Sequence, residues 1–168
     1  ALTIYLPILS ILAKEHYLKH PYDTIDESQP LKKVFLDIEL FLDHNIGSSI
    51  SECVLAGRNL VNAVSHYYSS ENCYYCYLVP PKNCKITAKE FEEYIIAESL
   101  KPVSVGFDKE TGEEKFDAYL TKDQKVKVVL FQNGIDLVHA VWEKIKSDDP
   151  AVLSGWNADT FDFPYLYH

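Results

Sequence analysis

A chain of 168 residues with 47% hydrophobic, 13% aromatic and 24% charged residues has the size and burial capacity of one globular domain. Twelve Tyr, eight Phe and two Trp exclude an extended disordered chain, and a net charge of -9 excludes a generally basic surface that holds nucleic acid unaided. Such acidity is compatible with a local site that meets phosphates through metal ions. Met is absent, even at position 1; removal of an initiator or an internal fragment explains this equally well.

The most apolar stretch, Leu2 to Ala13, is shorter than the ~20 residues of a bilayer span and lacks the basic residues that precede a secretory core. We expect a short helix from Ile8 to about Lys19, no membrane partner, and a cytoplasmic protein. His20 to Pro30 is polar, with proline near both ends, and reads as a linker. The expected organisation is therefore a helix and linker over 1–30 and a domain over 31–168.

Lys32 to Leu40 reads as a buried strand, and His44 to Glu52 as a loop closed by Gly57-Arg58-Asn59. Leu60 to Tyr68 and Cys73 to Val79 flank Ser69-Ser70-Glu71-Asn72 as the arms of a β-hairpin, stopped by Pro80-Pro81. Thr87 to Leu100 is a helix opened by a Thr87/Glu90 capping box. Val103 to Phe107 and Lys115 to Tyr119 form a second hairpin about Asp108 to Gly112, and Lys125 to Phe131 is a further strand. Apolar residues recur at helical spacing from Ile135 to Ile145. Ala151 to Trp156 is a short strand, and Thr160 to Tyr167 a last helix. Hairpins mixed with helices imply an α/β fold, a mixed sheet with helices packed on its faces.

Four Cys stand at 53, 73, 76 and 84. His66, Cys73, Cys76 and Cys84 could be read as a zinc site in an interaction module, but the second pair of a zinc ribbon is absent. The favoured reading makes Cys73 and Cys76 small hydrophobes of a core strand, without disulfides.

The most informative segment is Val34 to Leu40. Strand alternation puts Val34, Leu36, Ile38 and Leu40 on one face and Phe35, Asp37 and Glu39 on the other. Asp37 and Glu39 then point the same way with Cα atoms ~7 Å apart. Two like charges beside a core repel and lose solvation unless cations neutralise them, and the hard ions Mg²⁺ and Mn²⁺ suit carboxylate oxygens. Downstream, Val152 to Asn157 runs from a strand into a turn, and Asp162 follows in the expected first turn of a helix.

Lys33-Val-Phe-Leu-Asp-Ile-Glu39 resembles the first exonuclease motif, D-x-E, of the proofreading 3′-5′ exonuclease domain of family B DNA polymerases, the phage-type ones above all. Leu153-Ser-Gly-Trp-Asn157 through Phe161-Asp162-Phe-Pro-Tyr-Leu166 resembles the second, N-x-x-x-F-D-x-P-Y. The likeness covers roughly Leu31 to the C-terminus, and the first thirty residues look like the join from an N-terminal polymerase domain. It implies a ribonuclease H-like fold and hydrolysis of the 3′-terminal phosphodiester of DNA with two divalent ions, Mg²⁺ or Mn²⁺. By position, Asp37 bridges both ions, Glu39 binds one and Asp162 serves the other. Asn157 and Phe161 help hold the unpaired primer terminus.

The third motif of that family, Y-x-x-x-D, is expected beyond Asp162; Tyr119 and Asp123 have the spacing but lie upstream of the second motif. The expectation is a fragment of a replicative polymerase, nearly inactive alone, whose other domains lie in the same or a second chain. A non-catalytic DNA-binding or structural subunit of a split polymerase and a free-standing exonuclease are the alternatives.

Overall fold

The computed structural model describes residues 30–41 and 59–167. The expected helix from Ile8 to Lys19, the linker to Pro30 and the loop from His44 to Arg58 lie outside these residues. In chain order the elements are β1 (Lys33–Phe41), β2 (Leu60–Tyr68), β3 (Cys73–Leu78), α1 (Ala88–Ser99), β4 (Val103–Phe107), β5 (Glu114–Asp117), β6 (Lys125–Leu130), α2 (Gly134–Asp148) and β7 (Val152–Ser154). A π-helical turn, Ala158–Asp162, then leads into α3 (Phe163–Tyr167). Among the described residues five strands make one sheet in the order β6-β3-β2-β1-β7, and β4 and β5 pair apart from it. β1, β2 and β3 run antiparallel in succession, while β6 joins β3 and β7 joins β1 in parallel. The mixed α/β class and most element positions are those expected from periodicity.

Each face of the sheet follows from alternation and register. Val34, Leu36 and Ile38 pair with Tyr68, His66 and Val64, and these continue to Cys73, Tyr75 and Tyr77 on β3. All are buried, and Leu137, Val141 and Ile145 of α2 pack against them. Burying each such helix side chain contributes roughly 1.5–3 kcal/mol. Asn133 caps α2 by accepting from the Asp136 N–H at 2.9 Å. A Cβ on Gly134 would stand 2.5 Å from the Val61 carbonyl oxygen, so the helix begins in direct contact with β2 because this residue lacks one.

The opposite face is covered only in part. Its rows run Phe35-Tyr67-Tyr74-Val126, Asp37-Ser65-Cys76-Val128 and Glu39-Ala63-Leu78-Leu130. α1, with the expected Thr87/Glu90 capping box, packs Phe91, Ile95 and Ile96 over the β3 and β6 ends of those rows. The β1 and β2 ends stay open. The pairing slips between Glu39 and Leu40, where Asn62 bulges out of β2.

Two sequence expectations are corrected. The strand proposed for Ala151 to Trp156 pairs only over Val152–Ser154, because at Gly155 the chain meets the Leu36 carbonyl too closely to admit a side chain: a Cβ there would lie 2.2 Å from that oxygen. The final helix does not start at Thr160. It is entered through the π turn, in which the Asp162 N–H reaches the Asn157 carbonyl and the Phe163 N–H that of Ala158.

The zinc reading also fails. Cys73 and Cys76 are three residues apart on a strand and face opposite sides of the sheet; Cys84 is exposed, and all three are free. His66 lies beneath α2, its ring edge-on to Tyr68 and Tyr77 and its Nδ1 3.1 Å from the Tyr68 hydroxyl. Burial, reinforced by the Lys144 charge, pushes its pKa down to about 3.

The unfolded chain takes up a proton near pH 6.5 that native His66 refuses, so stability is full above that pH and is lost as pH falls toward 3. We expect denaturant titrations to show roughly 2–3 kcal/mol less stability at pH 4.5 than at pH 7 from this group. His66→Phe should flatten that slope; an unchanged slope in the variant would assign it elsewhere.

Candidate active site

The open part of the sheet face carries Phe35, Asp37 and Glu39 of β1, all exposed. Asp37 stands opposite Ser65 and Glu39 opposite Ala63. These small neighbours leave the space above both carboxylates clear. The bulge at Asn62 directly follows the Glu39-Ala63 pair and changes the phase of β2, so that Val61 and Val64, three apart, are both buried. A cleft of ≈ 400 Å³ runs along this face, lined by Phe35, Asp37, Ser65, Tyr67, Ser154 and Trp156 among others. Trp156 is 93% exposed at its rim.

Asp162 reaches the same place from the other end of the chain. β7 pairs with β1 only as far as Phe35, so the edge of β1 beyond it is available to another group. The Ile38 N–H donates there to the Asp162 carboxylate. Asp162 is 1% exposed, and its Oδ2 is buried without a hydrogen-bond partner. Burial first, then the charges of Asp37 and Glu39, hold its carboxyl above the usual range, opposed by the Ile38 N–H and its own. The structure thus sets Asp162 within electrostatic reach of Asp37 and Glu39, the other two carboxylates singled out in the sequence. It differs from expectation in how Asp162 is held: the residue ends the π turn as a buried group and does not lie in the first turn of an α-helix.

Asn157 is exposed where β7 gives way to the π turn, and its carbonyl accepts from the Phe161 N–H at 2.8 Å. Phe161 is half-buried, its ring 5.6 Å from that of Tyr165. Tyr67 and Tyr74 are half-buried with rings 4.7 Å apart. Their neighbours Tyr68 and Tyr75 are in the core, as alternation requires.

Among the described residues, no three His, Cys, Asp or Glu side chains stand close enough to hold a metal ion as they are placed. The donor chemistry nevertheless fits a hard cation: Asp162 feels the charges of Asp37 and Glu39, and it offers a buried oxygen with no other partner. Asp37 and Glu39 are exposed and free to turn toward that oxygen. No helix among the described residues is long and apolar enough to cross a membrane.

Residues 19–168 match the profile of the exonuclease domain of family B DNA polymerases. The chain belongs to this family. Over 46 residues, 27% of the chain, it is 41% identical to a DNA polymerase of Bombyx mori nuclear polyhedrosis virus. Over a match of equal length it is 44% identical to the corresponding enzyme of Autographa californica nuclear polyhedrosis virus. These matches span 5% of the length of each viral polymerase. A family B exonuclease domain accounts for an α/β sheet that packs one face fully and leaves acidic side chains open on the other.

Sequence reasoning missed three parts of this site. The Ile38 N–H is a backbone donor and has no side-chain signature. The bulge could have been read from apolar Val61 and Val64, which a regular strand puts on opposite faces. Gly155, at the end of a strand, marks a close backbone approach.

A carboxyl whose native pKa is raised above its unfolded value costs stability progressively as pH rises through that range, and the cost is absent at acid pH. In EDTA, Asp162→Asn is therefore expected to melt higher than the parent at pH 7.5. That gap should close toward pH 4. A variant that melts lower at pH 7.5 would mean that the buried charge is already compensated.

Proposed function

We propose that this chain carries part of the 3′-5′ proofreading exonuclease of a family B DNA polymerase and hydrolyses the 3′-terminal phosphodiester of a DNA primer. The observation that supports this best is the meeting of Asp162 with Asp37 and Glu39 at the free edge of β1, in a chain of this family. Residues 31–168 are the exonuclease portion and residues 1–30 the join to a preceding domain. The remaining polymerase domains, in the same or a second chain, supply most of the grip on DNA, as the net charge of -9 requires. The protein works with the replication machinery in the cytoplasm, and its likeness to phage-type enzymes is part of this proposal.

Asp37, Glu39 and Asp162 would hold two divalent ions, Mg²⁺ or Mn²⁺. Bound there, such ions supply a water activated for in-line attack and charge stabilisation for the leaving 3′-oxygen. Asp37 and Glu39 offer carboxylate oxygens from a rigid strand, so their spacing is set by the pleat. Asp162, raised in pKa by its setting, gains most from a neighbouring positive charge. The missing hydrogen-bond partner of Oδ2 adds to that gain. Asn157, with its carbonyl turned into the π turn and its side chain exposed, and Phe161 bound the carboxylates on the side away from β2. In this reading they hold an unpaired terminal nucleotide. No protein nucleophile is required.

Family likeness implies four carboxylates, of which Asp37, Glu39 and Asp162 would be three. The 168-residue chain by itself is therefore expected to degrade 5′-labelled single-stranded DNA slowly in Mn²⁺ or Mg²⁺. A longer polypeptide that includes the remaining domains should show 3′-5′ degradation that EDTA stops. Asp37→Ala and Glu39→Ala should each lower that rate by ~100-fold or more. Cleavage that persists in EDTA or in Asp37→Ala would remove these carboxylates from the chemistry. Rapid degradation by the 168-residue chain alone would show that it needs no further ligand.

A further inference from the structure

Tyr165 lies three residues beyond Asp162 and is buried. Its hydroxyl makes two hydrogen bonds to one peptide segment: it accepts from the Asn59 N–H and donates to the Asn59 carbonyl, each at 2.8 Å. Asn59, itself buried, directly precedes β2. A phenol that both accepts from and donates to backbone is saturated and directional, and it fixes the ring in rotation as well as in depth. The next residue, Leu166, is anchored too, because its carbonyl accepts from Trp142 Nε1 of α2 at 3.3 Å. α3 is thus fastened to the start of β2 and to α2, while the π turn before it must carry Asp162 to Ile38 of β1.

The π turn makes that fastening consequential. A π turn accommodates one residue more than an α turn. A one-residue slip rotates each following side chain by ~100° about the helix axis. Asp162 would then swing away from Ile38 and the edge of β1. We infer that Tyr165 is a positioning residue: its hydroxyl, clamped on the Asn59 backbone, holds the π turn in register so that the Asp162 carboxylate meets the Ile38 N–H beside Asp37 and Glu39. The purpose of that placement rests on the nuclease proposed above; the placement itself does not.

The test follows the Ile38 amide by hydrogen exchange and ¹⁵N chemical shift in the 168-residue chain, with circular dichroism and melting to confirm folding. Asp162→Ala supplies the reference in which Ile38 has lost its acceptor. Tyr165→Phe keeps the ring and removes both hydrogen bonds. It is expected to raise Ile38 exchange at least ~10-fold, toward the Asp162→Ala value, while the amides of the β1–β2 ladder stay within about twofold. Where Tyr165→Phe fails to fold, Asn59→Pro removes the N–H donor together with the Asn side chain but leaves the carbonyl acceptor, and should give a smaller shift in the same direction; Asn59→Ala, which keeps both backbone groups, is the control for the lost side chain. Ile38 protection unchanged in folded Tyr165→Phe, or in Asn59→Pro, would overturn the inference. So would a loss of protection spread evenly over the ladder, which marks general loosening. Asp37→Ala leaves the clamp intact, and Ile38 protection, referred to the intrinsic rate for the changed preceding residue, should stay well above the Asp162→Ala value, so a nuclease reading that failed in the cleavage assay would leave this result standing.

Discussion

A free backbone donor on β1 organises this site. β7 pairs with β1 only from Lys33 to Phe35, since Gly155 brings the departing chain against the Leu36 carbonyl and then away. Beyond that point the edge of β1 needs an acceptor, and the Ile38 N–H finds one in the carboxylate of Asp162. A buried N–H left unpaired costs of the order of 1–3 kcal/mol. The sequence could have met that need with a longer β7. It uses an acid instead, and so draws a third negative charge toward Asp37 and Glu39.

The cost of that choice is carried by the rest of the fold. Desolvation and two like charges oppose the ionised form of Asp162, and one hydrogen bond from Ile38 does not cancel them. The opposite sheet face offsets the strain: Val34, Leu36 and Ile38 are fully packed beneath α2, and His66 is kept neutral there by burial. One strand therefore has a dry face that fixes its position and a wet face that carries charge.

Much of this was legible in the sequence, for identifiable reasons. Strict alternation over Val34 to Glu39 specifies which side chains face water, and the hairpin about Ser69 to Asn72 specifies the register that puts Ser65 opposite Cys76. The capping box at Thr87 fixes the start of α1 to the residue. The sequence was less informative where backbone geometry departs from regular periods. Neither the π turn at Ala158–Asp162 nor the bulge at Asn62 follows a period of 2 or 3.6, and both adjoin the carboxylates. Asp162 was recognised by motif and order, whereas its burial came from a hydrogen bond to a backbone group that no side-chain pattern records. The His66-Cys73-Cys76-Cys84 alternative arose from spacing alone, and strand alternation separates its members.

The central claim is that Asp37, Glu39 and Asp162 form one cation-binding cluster. The most direct measurement is a crystal structure of the chain soaked in Mn²⁺ with anomalous data collected near the manganese edge. An anomalous peak within ~2.0–2.3 Å of oxygens from Asp37 and Asp162, lost in Asp162→Asn, is the expected result. Manganese bound only at other surface carboxylates, with the Asp162 Oδ2 still unpartnered in the presence of the ion, would contradict it.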